Sequence, residues 1–116
     1  MIQTLSDKAN EESTYIITCN FVDEDDTAVI PDTLSWTLTD LDGTVINSRS
    51  NVSVAVPTAS YDIVLYGDDL AMQTGETSQT AGRKLTISAT YTSDAGTGLP
   101  LKDEVIFFIE NFTNVS

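Results

Sequence analysis

Apolar and polar residues alternate along most of this chain, which is the period of strands buried on one face. Tyr15, Ile17, Cys19 and Phe21 form one stripe, with Thr14, Thr18 and Asn20 opposite. Leu34, Trp36 and Leu38 alternate with Ser35, Thr37 and Thr39, and Val52, Val54 and Val56 alternate with Ser53 and Ala55. Tyr61, Ile63 and Leu65 follow. Leu85, Ile87, Ala89 and Tyr91 alternate with hydroxyl residues, and Val105, Phe107 and Ile109 close the pattern. The pattern predicts strands at 13–22, 33–40, 44–49, 52–56, 61–66, 83–92 and 103–110, with a further one near 2–6. No segment carries a 3.6-residue period.

Turn residues divide the runs. Asp42-Gly43 lies between two β-prone stretches and predicts a tight hairpin turn. Pro31, Pro57 and Pro100 are placed just outside strands, where a missing N–H is tolerated. Residues 68–81 form the one long irregular stretch, expected to be a surface loop with a helical turn around Leu70 to Met72. About seven antiparallel strands in one domain spanning residues 1–116 imply an all-β, immunoglobulin-like β-sandwich. Trp36, in the middle of its strand, is expected in the core, and so is Tyr91.

Charge changes the picture of what such a sandwich would meet. Eighteen acids against five bases give −13, and there is no histidine. That balance disfavours phosphate backbones and anionic membranes, so neither nucleic acid nor membrane is expected as a partner. Basic or neutral protein surfaces are the alternative, and acidity also serves plain solubility. Cys19 is the only cysteine. An intrachain disulfide is therefore impossible, and Cys19 is expected to be a small buried hydrophobe. Met1 to Thr4 has neither a basic start nor an apolar core, so no secretory leader is expected there. The three N-x-Ser/Thr triplets, at Asn51, Asn111 and Asn114, are read as chance in a Ser/Thr-rich chain.

Several acidic groups are candidate sites. Asp23-Glu24-Asp25-Asp26 is the densest, but it lacks EF-hand spacing: no glycine stands at the sixth position and no glutamate at the twelfth. It is expected to be a solvated loop without a cation. Asp40 and Asp42 before Gly43, and Asp68-Asp69 after Gly67, are expected to be turns. A hydrolytic triad lacks its histidine, no G-x-S-x-G occurs, and no glycine-rich phosphate loop is present. The expectation is a protein with no catalytic residues, no cofactor and no metal. The last strand is different: Val105-Ile106-Phe107-Phe108-Ile109 is apolar on both faces. One face belongs to the core. The other, Ile106 and Phe108, is the candidate partner-binding surface, unless the N-terminal segment or the long loop covers it.

The stretch Phe21 to Pro31, continued by Leu34 to Ile46, resembles small Ig-like structural proteins of tailed bacteriophages. So do Tyr61 to Leu70 and Leu99 to Val105, and together these span most of Thr14 to Asn111. The acid-rich loop at 23–26 and the Ser/Thr/Gln-rich stretch from Thr74 to Gly82 depart from the pattern. The resemblance implies a non-enzymatic virion component, made in the host cytoplasm. It would be a capsid decoration or cement protein bound to the major capsid protein or another virion protein, and could form homo-oligomers. The alternative is a receptor- or glycan-binding module of a tail or fibre. An exposed aromatic would favour it, and only Tyr66 is expected to be free.

Overall fold

The structure is a computed structural model and describes residues 2–10, 13–71 and 80–110. Its elements are β1 (Ile2–Asn10), β2 (Thr14–Asn20), β3 (Thr33–Asp40), β4 (Val52–Ser53), β5 (Ser60–Tyr66), a 3-10 turn (Gly67–Leu70), β6 (Thr80–Ser93) and β7 (Gly96–Glu110). The protein is all-β. A five-stranded sheet has the order β1-β7-β6-β3-β4, and a second sheet pairs β2 with β5.

Alternation produces the layers. Along β6, Ala81, Arg83, Leu85, Ile87 and Ala89 are buried in step, while the residues between them are half-buried. Ile17 and Cys19 of β2 and Ile63 and Leu65 of β5 point inward, so all four join one core with Trp36, Leu38, Leu85, Ile87 and Phe107 from the larger sheet. Tyr15 stacks on Phe107 across the layers, with ring centroids 5.2 Å apart. Trp36 is 7% exposed and sits opposite Ile87 in the β3–β6 register.

Several expectations need correction. Pairing is not wholly antiparallel: β1 lies parallel to β7, from Ile2 opposite Glu104 to Asn10 opposite Glu110. The expected strand at 44–49 reduces to an isolated bridge between Thr39 and Val45. At 52–56 only Val52–Ser53 is strand, and Val56 is exposed. The last hairpin is longer than predicted, so Pro100 lies inside β7 opposite Thr90 rather than outside a strand. It is tolerated because the β1–β7 pairing begins only at Glu104, which leaves that side of β7 at Pro100 without a ladder to donate to. Tyr91 is half-buried, outside the core, and its hydroxyl donates to Glu24 Oε1 at 3.3 Å. The reason is length: β6 and β7 have 14 and 15 residues, whereas β2 and β5 have 7 each. The hairpin therefore outruns the sheet that would cover it.

Candidate functional site

Four places could carry function, and the first is the end of the molecule beyond Tyr66. Residues 67–70 were expected to include an ordinary acidic turn, but Asp69 is completely buried. Arg49 Nε donates to Asp69 Oδ1 at 2.7 Å and Arg49 Nη2 to Oδ2 at 3.3 Å; Asn47 Nδ2 donates to Oδ1 at 2.9 Å and the Tyr66 N–H to Oδ2 at 3.2 Å. Burial by itself pushes the Asp69 carboxyl up. The donors from Arg49, Asn47 and Tyr66 outweigh it and hold the carboxyl below its ordinary value. The hydrogen bond to Asp69 likewise raises Arg49. Asn47 and Ser48 adopt positive φ, 53° and 57°, a tight turn that brings Asn47 and Arg49 together on the carboxylate. The Arg49 guanidinium carbon lies 5.9 Å from the Trp36 ring centroid, so the cluster rests on the core. Arg83, also fully buried, donates to the carbonyls of Gly82 and Ala71. Nothing but its phase with Leu85 and Ile87 betrayed that burial in the sequence. This end is a structural clamp.

The second place is the loop at 23–26, at the other end of the β2–β5 pair. Carboxylate oxygens of Asp23, Glu24 and Asp25 lie within 4.8 Å of one another. Two of the three are already engaged: Asp23 Oδ1 accepts from the N–H groups of Asp25 and Thr27, and Glu24 Oε1 accepts from Tyr91 and from Ser93 Oγ at 2.8 Å. Asp40 does the same in its own turn, with Oδ1 accepting from the N–H groups of Asp42 and Thr44 around Gly43 at φ 97°. Such local bonds are what short acidic side chains do in turns.

The third place is the outward face of the larger sheet. Ile106 and Phe108 lie there, both half-buried, opposite Lys84 and Gly82 in the β6–β7 register. Leu41, 48% exposed, lies over Gly82, where an added Cβ would meet its Cδ1 at 2.5 Å. The absent side chain at Gly82 thus lets Leu41 join the row. Sequence reasoning found Ile106 and Phe108 but not Leu41, which is far from them in the chain. The rest of the face is hydroxyl-rich, with Thr33 and Thr90 hydrogen-bonded at 2.8 Å. The β1 backbone runs beside this strand, Thr4 opposite Ile106 and Lys8 opposite Phe108.

Comparison with protein-family models, with curated proteins and with solved structures returns no match. The reading of function therefore rests on the chain itself.

The fourth place is a cavity of about 370 Å³ between β2 and β7, walled in part by Cys19, Phe21, Ile87, Leu101, Asp103 and Val105. Cys19 is buried, as expected. Burial pushes its thiol up to about 11, helped by the charges of Asp103 and Asp62. A thiol so placed stays protonated and is a weak nucleophile near neutrality. Among the described residues no helix is long and apolar enough to cross a membrane. The stretch from Thr74 and the triplets at Asn111 and Asn114 fall wholly or largely outside the described residues, while Asn51 is exposed with its N–H on Thr37 Oγ1.

Proposed function

We propose that this chain is an Ig-like structural protein of a tailed-phage virion that docks on the assembled head as a decoration or cement protein. The observation that carries the reading is the outward apolar row of Ile106, Phe108 and Leu41 beside Lys84. An apolar row on a sheet face whose other described residues are mostly hydroxyl-bearing or charged is what a protein partner buries. The sheet order supports the Ig-like assignment, since β2 and β5 stand apart from β3, β6 and β7, as B and E stand apart from C, F and G in Ig sandwiches. It departs in two respects: β4 pairs with β3 rather than lying beside β5, and β1 lies in the larger sheet beside β7 rather than with β2. The resemblance of Phe21 to Ile46 and of Tyr61 to Leu70 to phage Ig-like proteins supplies the virion setting. The −13 charge favours a partner surface with basic patches and speeds encounter at low salt.

The test is cosedimentation of the purified chain with assembled heads. Ile106 and Phe108 are already half-buried, so docking would remove about 1 kcal/mol of apolar exposure from each. The double variant Ile106→Ser, Phe108→Ser should then bind roughly 30-fold more weakly while keeping its fold. Unchanged binding by a folded double variant rejects this face as the docking surface. One observation favours the tail or fibre reading instead: Tyr66 is 56% exposed, and bare aromatic rings stack on sugars. Under that reading Tyr66→Ala abolishes cell-surface binding and leaves head occupancy unaffected.

A further inference from the structure

The two sheets differ in width, and the difference leaves a side of the sandwich open. Five strands set about 4.8 Å apart span roughly 19 Å, whereas two span about 5 Å. On the side towards β7 the smaller sheet stops at β2, which pairs only with β5 among the described residues. β7 is also bare there: its pairing with β1 begins at Glu104, so Gly96 to Lys102 has β6 as its only strand partner among the described residues. The cavity of about 370 Å³ lies between these two edges, with Ile87, Leu101, Val105 and Phe21 supplying apolar wall.

Nothing in the sequence guards the β2 edge. Ser13 to Val22 is ten residues without a charge, a proline or a glycine. Exposed strand edges are ordinarily protected by one of those devices, because their backbone groups recruit other chains. The surroundings select the recruit by charge. Asp103 stands in the cavity wall, and Asp62 accepts a hydrogen bond from Thr18 Oγ1 at 2.7 Å beside it. A second copy would bring its own −13 charge to this acidic margin.

We propose that the gap between β2 and β7 is a strand-acceptor site for an extended segment of a partner protein. The segment carries alternate apolar residues flanked by lysine or arginine. It pairs with the edge of β2, seats its apolar side chains in the cavity over Leu101 and Val105, and places its cations at the acidic margin beside Asp62. Added strands of this kind draw affinity from main-chain hydrogen bonds and specificity from pockets for alternate side chains. Five residues, about 17 Å of extended chain, cover the stretch from Thr18 to Val22. The site is distinct from the Ile106 and Phe108 face and does not depend on a virion role.

The only cysteine lines the cavity and reports on its occupancy in the unaltered protein. The probe is the peptide acetyl-Lys-Val-Thr-Val-Thr-Val-Lys-amide, with a counterpart carrying Glu for both Lys. Cys19 alkylation by iodoacetamide at mildly alkaline pH and amide hydrogen exchange across β2 are followed together. Saturating Lys-flanked peptide should slow alkylation at least about tenfold and slow exchange along β2, while the Glu-flanked peptide does neither. No protection by either peptide, or equal protection by both, overturns the proposal. Protection that rises with protein concentration in the absence of peptide overturns it in favour of a second copy.

Discussion

Asp69 and Asp23 stand in similar sequence settings, an acidic pair and an acidic run just beyond a strand, yet the fold treats them oppositely. Asp69 is sealed from water and receives donors from Arg49, Asn47 and the Tyr66 N–H. Asp23 and Glu24 remain at the surface, bonded to their own turn and to the neighbouring hairpin. The difference lies in what the rest of the chain supplies. Arg49 is one of only five bases, and it is spent on Asp69 above Trp36. No base is hydrogen-bonded to the 23–26 loop among the described residues, so water must solvate it. Acidic density in a sequence therefore says little, and the position of the few cations says more.

The largest effect should come from the floor on which the Asp69 clamp rests. Trp36→Ala removes a buried indole and the ring under Arg49, and should cost about 3–5 kcal/mol of unfolding free energy. Chemical denaturation measures it. A loss below about 1 kcal/mol would mean that the ring is not core and that the clamp stands without it.

Next comes the clamp. Asp69→Ala strands Asn47, the Tyr66 N–H and a guanidinium whose side chain is 31% exposed. Breaking a fully buried pair costs about 3–5 kcal/mol, and the partial exposure of Arg49 brings the expectation to about 2–3 kcal/mol. The pH dependence has a definite sign. The Asp69 carboxyl is held below its ordinary value of 3.8, so its contribution is complete above that pH and is lost as pH falls through the folded value. Asp69→Asn should therefore differ most from the parent near neutrality, and the two stability curves should converge under acid. A constant gap down to strongly acidic pH would show that Asp69 is not ionised in the folded protein.

Legibility in the sequence followed the same divide. The period-2 stripes located β2, β3, β5 and β6 and put Trp36 and Cys19 inside, because alternation is a local signal of one buried face. Pairing partners were not local. Nothing in Val52 to Val56 tells it to join β3, and nothing in Ile2 to Asn10 specifies a parallel neighbour. The Asp69 clamp was invisible because its parts lie about twenty residues apart and its acid looked like any turn acid. The β2–β7 gap was invisible for a different reason: it arises from the unequal strand number of the two sheets among the described residues, which no local pattern records. Ile106 and Phe108 were legible since a strand apolar on both faces is anomalous in a two-layer protein.

The smallest effect belongs to the surface cluster. Calcium takes six to eight oxygen ligands in a preformed shell. Asp23, Glu24 and Asp25 bring three carboxylates together. Two of these would have to give up bonds already made to Thr27, Asp25, Tyr91 and Ser93. A site with a dissociation constant of about 1 mM would add only about 0.4 kcal/mol at 1 mM calcium, roughly 2 °C for a domain of this size. The expected shift is smaller still, so melting curves in chelator and in millimolar calcium should superimpose. A rise of several degrees would mean that the loop rearranges to close a coordination shell. The contrast with Asp69 would then be one of ligand, cation side chain against metal ion, rather than of burial against solvation.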